Sequence, residues 1–261
     1  MSIALAAAWY PRGELPRFWR LLPVLQQVYD FIVIYLSQNS DPEVRQALTS
    51  GELPERYGLL VISSEDWRSG RTVVLQAALQ TPASHIHYVD MDRLLRWVET
   101  RQQEWQQTMQ RLEGCDCLVM GRTAAAYSTH PQALLQTEAV SNLVVSHWLD
   151  QAMDVSGGSK GFSRRAAELL TSQADPCPAY GTDAEWPIRL KRAGYRVDYI
   201  EVDGLDWESA DQFQERAADA ERQRKLALAY DQNPQNWSFR VGVAMEIVKC
   251  ALNLMGREHD R

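Results

Sequence analysis

Short apolar runs alternate with amphipathic segments along the first half of the chain. The apolar runs have the length of single strands and are continuous, as in strands buried on both faces of a parallel sheet. The intervening segments carry apolar residues three and four positions apart, which predicts helices. Predicted strands cover residues 3–9, 31–36, 59–63, 86–89 and 117–120, and predicted helices cover 16–29, 41–48, 71–80, 94–112 and 131–149.

The second half of the chain contains a glycine-rich segment and more charged helices. The glycines within 157–161 predict a loop, and Ser163 suits the N-cap of a helix over 164–172. The other predicted elements are a helix over 183–193 ended by Gly194, a strand over 195–202, a helix over 209–230 broken by Asn233-Pro234, and a final amphipathic helix over 239–255.

This order of elements predicts an α/β protein built on a mostly parallel sheet. We expect one domain over residues 1–208, with a first half at 1–120 and a second half at 121–208. A helical C-terminal extension over 209–261 is expected to pack on the same domain.

The composition describes a chain that can bury a large core. It has 261 residues, 45% of them apolar, with 27 lysines and arginines against 34 aspartates and glutamates. The formal charge of −7 disfavours nonspecific binding to nucleic acid or anionic lipid, so an anionic ligand needs a local cationic site. Charged residues interrupt the long apolar stretches 21–37 and 241–255, which predicts no transmembrane segment.

The four cysteines, at positions 115, 117, 177 and 250, lack the spacing of a zinc site. We therefore expect free thiols in a cytoplasmic protein. The apolar start over residues 3–8 has no basic segment before it and no small-residue cleavage site after it, so it predicts a strand and not a signal peptide.

Two aspartates follow the apolar run that ends at Val89, in the order Asp90-Met91-Asp92. Ligands bind outside the carboxyl ends of the strands in open α/β sheets. Two carboxylates at that place can hold one hard cation and leave positions free for diphosphate oxygens. The alternative is an ordinary strand-to-helix turn in which one aspartate caps the helix.

A second acidic cluster opens the helix predicted over 183–193. The stretch from Thr182 to Tyr195 reads Thr-Asp-Ala-Glu-Trp-Pro-Ile-Arg-Leu-Lys-Arg-Ala-Gly-Tyr. Together with Asp90-Met91-Asp92, it resembles glycosyltransferases of the GT-A fold, particularly those of family 2. The resemblance covers the order and spacing of residues 3–203, and it implies a three-layer α/β/α fold with a Rossmann-like sheet.

The resemblance also implies roles for the matched residues. Asp183 matches the catalytic base and Glu185 the second acid, whereas Asp90 and Asp92 match the metal-binding Asp-x-Asp. For Asp183, the alternative is a helix N-cap. The remaining nucleotide-binding candidates are Pro11, which matches a first-loop proline, Arg71, at a helix start that suits phosphate or ribose, and Lys160, in the glycine-rich segment.

Three features depart from the family pattern. The second strand ends without the family's aspartates, which leaves the identity of the nucleotide open. Thr182 stands where the family has an acid before the base. The stretch 204–208 contains no late histidine, so Asp206 is the candidate for a third metal ligand.

The matched residues imply a hexosyltransferase that uses a UDP- or GDP-hexose, an unidentified acceptor hydroxyl and Mg²⁺ or Mn²⁺. The departures leave open a non-catalytic protein that binds a sugar nucleotide or a partner. A haloacid-dehalogenase-type phosphatase is less favoured, because Leu94 stands where that class has a hydroxyl residue. The apolar stripe over 239–255 is compatible with a homodimer contact or a membrane surface, although packing on its own domain is favoured.

Overall fold

A seven-stranded sheet organises the chain, with strand order β3-β2-β1-β4-β6-β5-β7. The structure is a computed structural model and describes residues 1–37, 39–49, 59–64, 70–173 and 176–256. The strands are β1 (Ile3–Trp9), β2 (Phe31–Ser37), β3 (Leu59–Ser64), β4 (His85–Val89), β5 (Cys117–Arg122), β6 (Ser159–Ser163) and β7 (Val197–Val202). Only β6 runs antiparallel to its neighbours, so the predicted mostly parallel sheet is confirmed.

Helices connect the strands and cover both faces of the sheet. The α-helices in the described residues are α1 (Leu15–Leu25), α2 (Pro42–Thr49), α3 (Gly70–Ala78), α4 (Met91–Thr100), α5 (Gln102–Gln110), α6 (Ala124–Ser128), α7 (Gln132–Leu149), α8 (Arg164–Thr171), α9 (Thr182–Arg192), α10 (Ala220–Asp231) and α11 (Pro234–Gly256).

Two apolar cores lie on opposite faces of the sheet and confirm the three-layer fold. Along β1, Ala4 and Ala6 pack on the face covered by α3, α7, α8, α9 and α11. The residues between them, Leu5 and Ala7, pack on the face covered by α1, α4 and α5. This alternation follows from the two-residue period of a strand, and both faces are apolar because both are covered.

The glycine-rich segment is a strand where the sequence predicts a loop. Residues Ser159–Ser163 form β6 between β4 and β5. A Cβ on Gly161 would lie 2.0 Å from the side chain of Leu112, so the glycine serves close packing and not a turn. The polar side chains of β6 have buried partners, which is why this strand lacks an apolar pattern.

The C-terminal segment also differs from its prediction. The helix expected over 209–230 is confined to α10, and a short 3₁₀ turn occupies Glu208–Asp211. The last helix begins at Pro234, five residues before its predicted start, because proline fits the first turn of a helix. Helix α11 contributes Val243 and Ile247 to the core, so the extension packs on the sheet domain.

The prediction of free thiols is wrong for two of the four cysteines. Cys177 and Cys250 form a disulfide that joins the segment before α9 to α11. Cys115 and Cys117 are free, as expected. Within the described ranges, no helix combines the length and the apolar character that crossing a membrane requires.

A buried polar network links the sheet to α5. The two ring nitrogens of His87 lie 2.7 Å from the Tyr29 hydroxyl and 2.8 Å from the Ser159 hydroxyl. The Trp105 indole N–H donates to the same Tyr29 hydroxyl at 3.0 Å. Burial lowers the pKa of His87 to about 3, and burial is also the largest cause that lowers the pKa of His130 to about 3.

These two histidines predict a loss of stability in mild acid. The unfolded chain binds protons at histidine below about pH 6.5, whereas the folded chain does not until about pH 3, so stability present above pH 6.5 is lost as the pH falls. Between pH 7.5 and 5.5, urea unfolding should show wild type losing about 2–3 kcal/mol more stability than the H87N/H130N variant. The difference between the two chains isolates the histidines, because Asp92, whose raised pKa acts in the opposite direction, is present in both.

The exposed His147 offers a matched control, and H147N should keep the wild-type pH dependence. An unchanged pH dependence in H87N/H130N would show that other groups cause the acid sensitivity.

Candidate functional site

A cavity of about 320 Å³ opens at the carboxyl ends of β1, β2 and β4. Its position is the one that the chain's strand order predicts for a ligand site. Four arginines and five carboxylates line it: Arg12, Arg71, Arg93, Arg240, Asp90, Asp92, Asp183, Glu138 and Glu208.

Asp90 lies directly after β4, at the N-cap of α4. Within the described part of the chain, its carboxylate makes no capping hydrogen bond. It accepts from the Tyr88 hydroxyl at 2.8 Å and from Arg71 at 3.4 Å. Gly158 has a φ of +69°, and a Cβ there would lie 3.0 Å from an Asp90 oxygen, so a glycine is required beside this carboxylate.

Asp92 faces the cavity from the first turn of α4. It pairs with Arg12 at 3.1 Å, and Arg12 Nη2 is the donor. Burial raises the pKa of Asp92, and the nearby charge of Glu208 raises it further, against the effect of Arg12. Five carboxylates face four arginines in this cavity, so the arginines do not neutralise all of its negative charge.

Arg71 joins the two acidic groups across the cavity. Its guanidinium lies 3.4 Å from Asp90 Oδ2 and 3.2 Å from Asp183 Oδ2. The rings of Tyr88 and Tyr180 flank it, with their centroids 5.6 and 5.9 Å from Arg71 Cζ. These aromatic and acidic neighbours hold the guanidinium in one place, so Arg71 is not a freely solvated residue at the start of its helix.

Asp183 is the second residue of α9 and is buried. Lys160 donates to its Oδ1 at 2.7 Å, while Arg71 pairs with its Oδ2. Burial alone would raise the pKa of Asp183, but Lys160 and Arg71 outweigh it and lower the pKa. Asp183 is therefore ionised and held by two cations, which makes it a weak base in this arrangement.

Lys160 does not lie where the predicted phosphate contact would require it. It lies on β6, is fully buried and does not line the cavity. Its ammonium group donates to Asp183 and to the Val155 carbonyl at 3.0 Å. The sequence misses this arrangement because it predicts a surface loop at this position.

Three other predicted site residues lie outside the cavity wall. Glu185 accepts from the Cys177 amide at 3.0 Å and from Arg189 at 2.8 Å, so it anchors the segment before α9. Asp206 forms a two-point pair with Arg96 at 2.7 and 2.8 Å. Pro11 is buried between Tyr10 and Arg12, which do line the cavity.

Several cavity residues escape the sequence prediction. Arg12 and Arg93 directly follow the predicted site residues Pro11 and Asp92 in the sequence, and this adjacency is the one signal that could have identified them. Glu208 lies two residues from the predicted Asp206, whereas Arg240 carries no such signal, because only tertiary packing brings α11 to the carboxyl end of β4. Helix α11 thus forms part of the cavity wall as well as part of the core.

The donor set fits a divalent cation that is completed by a ligand. In the described residues, no three His, Cys, Asp or Glu side chains form a group that could hold a metal ion. Asp90 and Asp92 supply two carboxylates with excess negative charge beside them. Mg²⁺ is commonly held by one or two carboxylates together with substrate phosphates, so these residues fit that mode.

Comparisons with known proteins identify structures of related architecture. No protein-family model and no curated protein matches the sequence. Similar solved structures include a mycobacterial protein (14% identity, 77% of this chain, TM-score 0.45), of which this chain spans 65%. Another is glucosyl-3-phosphoglycerate synthase from Mycobacterium tuberculosis with Mn²⁺, UDP and phosphoglyceric acid (15% identity, 92% of this chain, 78% of that chain, TM-score 0.46).

A third similar structure is a mannosyltransferase from Pyrobaculum calidifontis with GDP-Man and Mn²⁺ (12% identity, 96% of this chain, 75% of that chain, TM-score 0.40). With TM-scores below 0.5, the fold assignment rests on the sheet and layers described above, and the function must be argued from the cavity.

The buried ion pair predicts a strong dependence of stability on Lys160. Lys160→Met leaves the buried Asp183 with Arg71 alone and should lower the free energy of unfolding by about 3–5 kcal/mol in urea. The double variant K160M/D183N also removes the carboxylate charge that Lys160 no longer neutralises, and it should recover a large part of the lost stability.

Lys225 is exposed, and K225M should change the free energy of unfolding by less than about 0.5 kcal/mol. A K160M variant as stable as wild type would contradict the assignment of Lys160 as the charge partner of Asp183.

Proposed function

We propose that the protein is a metal-dependent glycosyltransferase that moves a hexose from a UDP- or GDP-sugar to an acceptor hydroxyl. The observation that carries the proposal is the bridge that Arg71 forms between Asp90 and Asp183 at the carboxyl ends of the strands. In this proposal Arg71 binds phosphate, Asp90 and Asp92 hold a metal ion and Asp183 is a further carboxylate, and all four residues line the same cavity.

The diphosphate of the donor binds at Arg71 and Arg12 in this proposal. Both arginines line the cavity, and each pairs with a carboxylate, Arg71 with Asp90 and Arg12 with Asp92. An incoming diphosphate can replace these carboxylates as the partner of the arginines. Mg²⁺ or Mn²⁺ held by Asp90 and Asp92 would neutralise the charge on the leaving diphosphate.

Donor binding would also change the state of Asp183. A diphosphate that takes hydrogen bonds from Arg71 withdraws one of the two cations that lower the pKa of Asp183. The carboxylate then becomes a stronger base and accepts the proton of the acceptor hydroxyl. The hydroxyl oxygen forms its bond to the anomeric carbon as the bond to the diphosphate breaks. Direct displacement of this kind inverts the anomeric centre.

A second candidate is a protein that binds a sugar nucleotide without turnover. The observation in its favour is the double pairing of Asp183 with Lys160 and Arg71, which makes this carboxylate a weak base. The two candidates share the donor site and differ in whether Asp183 takes a proton.

Donor binding provides the first test. UDP, UDP-glucose, GDP and GDP-mannose are titrated by calorimetry with Mn²⁺ and with a chelator. Binding of one nucleotide series should weaken at least about tenfold without metal, because the carboxylates then repel the diphosphate. The D90N/D92N variant should lose the metal dependence, whereas D198N, on the surface, should not. Metal-dependent binding that persists in D90N/D92N would contradict the metal assignment.

Turnover provides the second test. Release of UDP or GDP from the donor is measured with a panel of hydroxyl acceptors. Asp183→Asn should lower the rate about 10²–10⁴-fold, the usual contribution of a positioned base, while donor affinity stays within a few fold. Turnover at the wild-type rate in D183N would remove Asp183 from the mechanism. Donor binding by wild type without turnover would favour the non-catalytic candidate.

A further inference from the structure

Glu208 is a buried carboxylate whose bonding is incomplete. It lies in the 3₁₀ turn after β7 and lines the same cavity, with 7% of its surface exposed. Its Oε1 accepts from the Ser209 hydroxyl at 3.1 Å. Its Oε2 has no hydrogen-bond partner among the residues that the structure describes.

The charged neighbours of Glu208 keep it ionised without completing its hydrogen bonds. Burial alone would raise its pKa, but the charges of Arg93 and Arg240 outweigh burial and lower it, and the Glu208 charge in turn raises the pKa of Asp92. Arg93 Nε lies 3.8 Å from Oε2, too far for a hydrogen bond. Arg93 Nη1 instead donates to the Ser156 and Gly157 carbonyls at 3.3 and 2.6 Å.

An ionised oxygen that is buried without a donor is costly, so its presence in a cavity calls for a donor supplied by the ligand. The donor could in principle be a water, a metal ion or a hydroxyl. No group of three metal-binding side chains occurs in the described residues, which disfavours a metal ion held by protein groups here. The cavity has four arginines and five carboxylates, and the metal ion proposed at Asp90 and Asp92 would take up the excess negative charge, so an uncharged hydroxyl fits the remaining charge balance best.

A shared neighbour, Arg93, relates Glu208 to one part of the donor. Arg93 Nε lies 3.8 Å from Asp90 Oδ2 and 3.8 Å from Glu208 Oε2, so the two carboxylates are neighbours in the cavity. Trp9 and Ser37, at the ends of β1 and β2, line another part of the cavity wall. A donor whose diphosphate lies at Arg71 and Asp90 therefore brings the group next to the diphosphate, which is the sugar, within reach of Glu208, while its other end extends to the β1–β2 side.

We propose that Glu208 Oε2 accepts a hydrogen bond from a hydroxyl of the transferred sugar and thereby selects a polyhydroxylated donor group. The inference rests on the proposed function and adds which residue reads the sugar. Its consequence is that the protein binds the nucleotide sugar more tightly than the nucleoside diphosphate alone, because only the former reaches Glu208.

The test compares Glu208→Gln with a matched control. Glu201 is an exposed glutamate on β7, so E201Q changes the same functional group away from the cavity. Dissociation constants of UDP, UDP-glucose, GDP and GDP-mannose are measured with Mn²⁺ for wild type and both variants. E208Q should weaken the bound nucleotide sugar about tenfold or more and leave the matching diphosphate within about twofold, since a hydrogen bond to a charged group is lost. E201Q should match wild type.

Equal weakening of the sugar nucleotide and of the diphosphate in E208Q would overturn the inference, because Glu208 would then act through Arg93 or the metal ion. Unchanged binding of both would overturn it as well and leave the proposed function intact. If wild type binds none of the four nucleotides, the proposed function itself fails, and this inference fails with it.

A second measurement uses the wild-type chain and so tests the inference even if E208Q misfolds. Nucleotide sugars that lack one sugar hydroxyl are titrated into wild type. One deoxy position should weaken binding about tenfold. Equal affinity for the parent sugar and for every deoxy analogue would overturn the assignment.

Discussion

The contact of Arg71 with Asp90 and Asp183 is the constraint on which the cavity depends. The two carboxylates come from the end of β4 and the first turn of α9, and they would repel each other if both were ionised without a cation between them. The glycine before Arg71 serves this contact. A Cβ on Gly70 would lie 2.6 Å from the ring of Tyr35, so the helix that carries Arg71 can approach the sheet closely only without a side chain there.

Lys160 extends the same constraint into the sheet. A buried ammonium group on a strand is expensive unless it is paired, and Asp183 supplies the pair at 2.7 Å. Strand β6 is therefore polar because of two separate partners: Lys160 pairs with Asp183 at the cavity, and Ser159 contacts His87 within the sheet. In the proposed function, an entering ligand would exchange partners with charges that are already paired, which would let a chain with a net charge of −7 hold an anionic group.

The local pattern of apolar and polar residues predicts those elements whose surroundings are apolar along their whole length. The alanine-rich β1 is predicted with its observed bounds, because both its faces are covered by apolar helices. Asp90 is placed correctly at the strand end, since the apolar run stops there. The sequence fails to predict three features for one shared reason: strand β6, the disulfide between Cys177 and Cys250, and the position of Glu208. Their polar groups are buried by segments distant in sequence, and no local period records that burial.

The position of α11 in the chain sets the order in which the cavity is completed during synthesis. Arg240 and Val243 form part of its wall, yet they leave the ribosome after every strand of the sheet. A domain generally folds as one unit. A nascent chain that stops before α11 would lack both the cover of one apolar sheet face and part of the cavity wall, so neither the complete core nor the cavity forms until α11 has been synthesised.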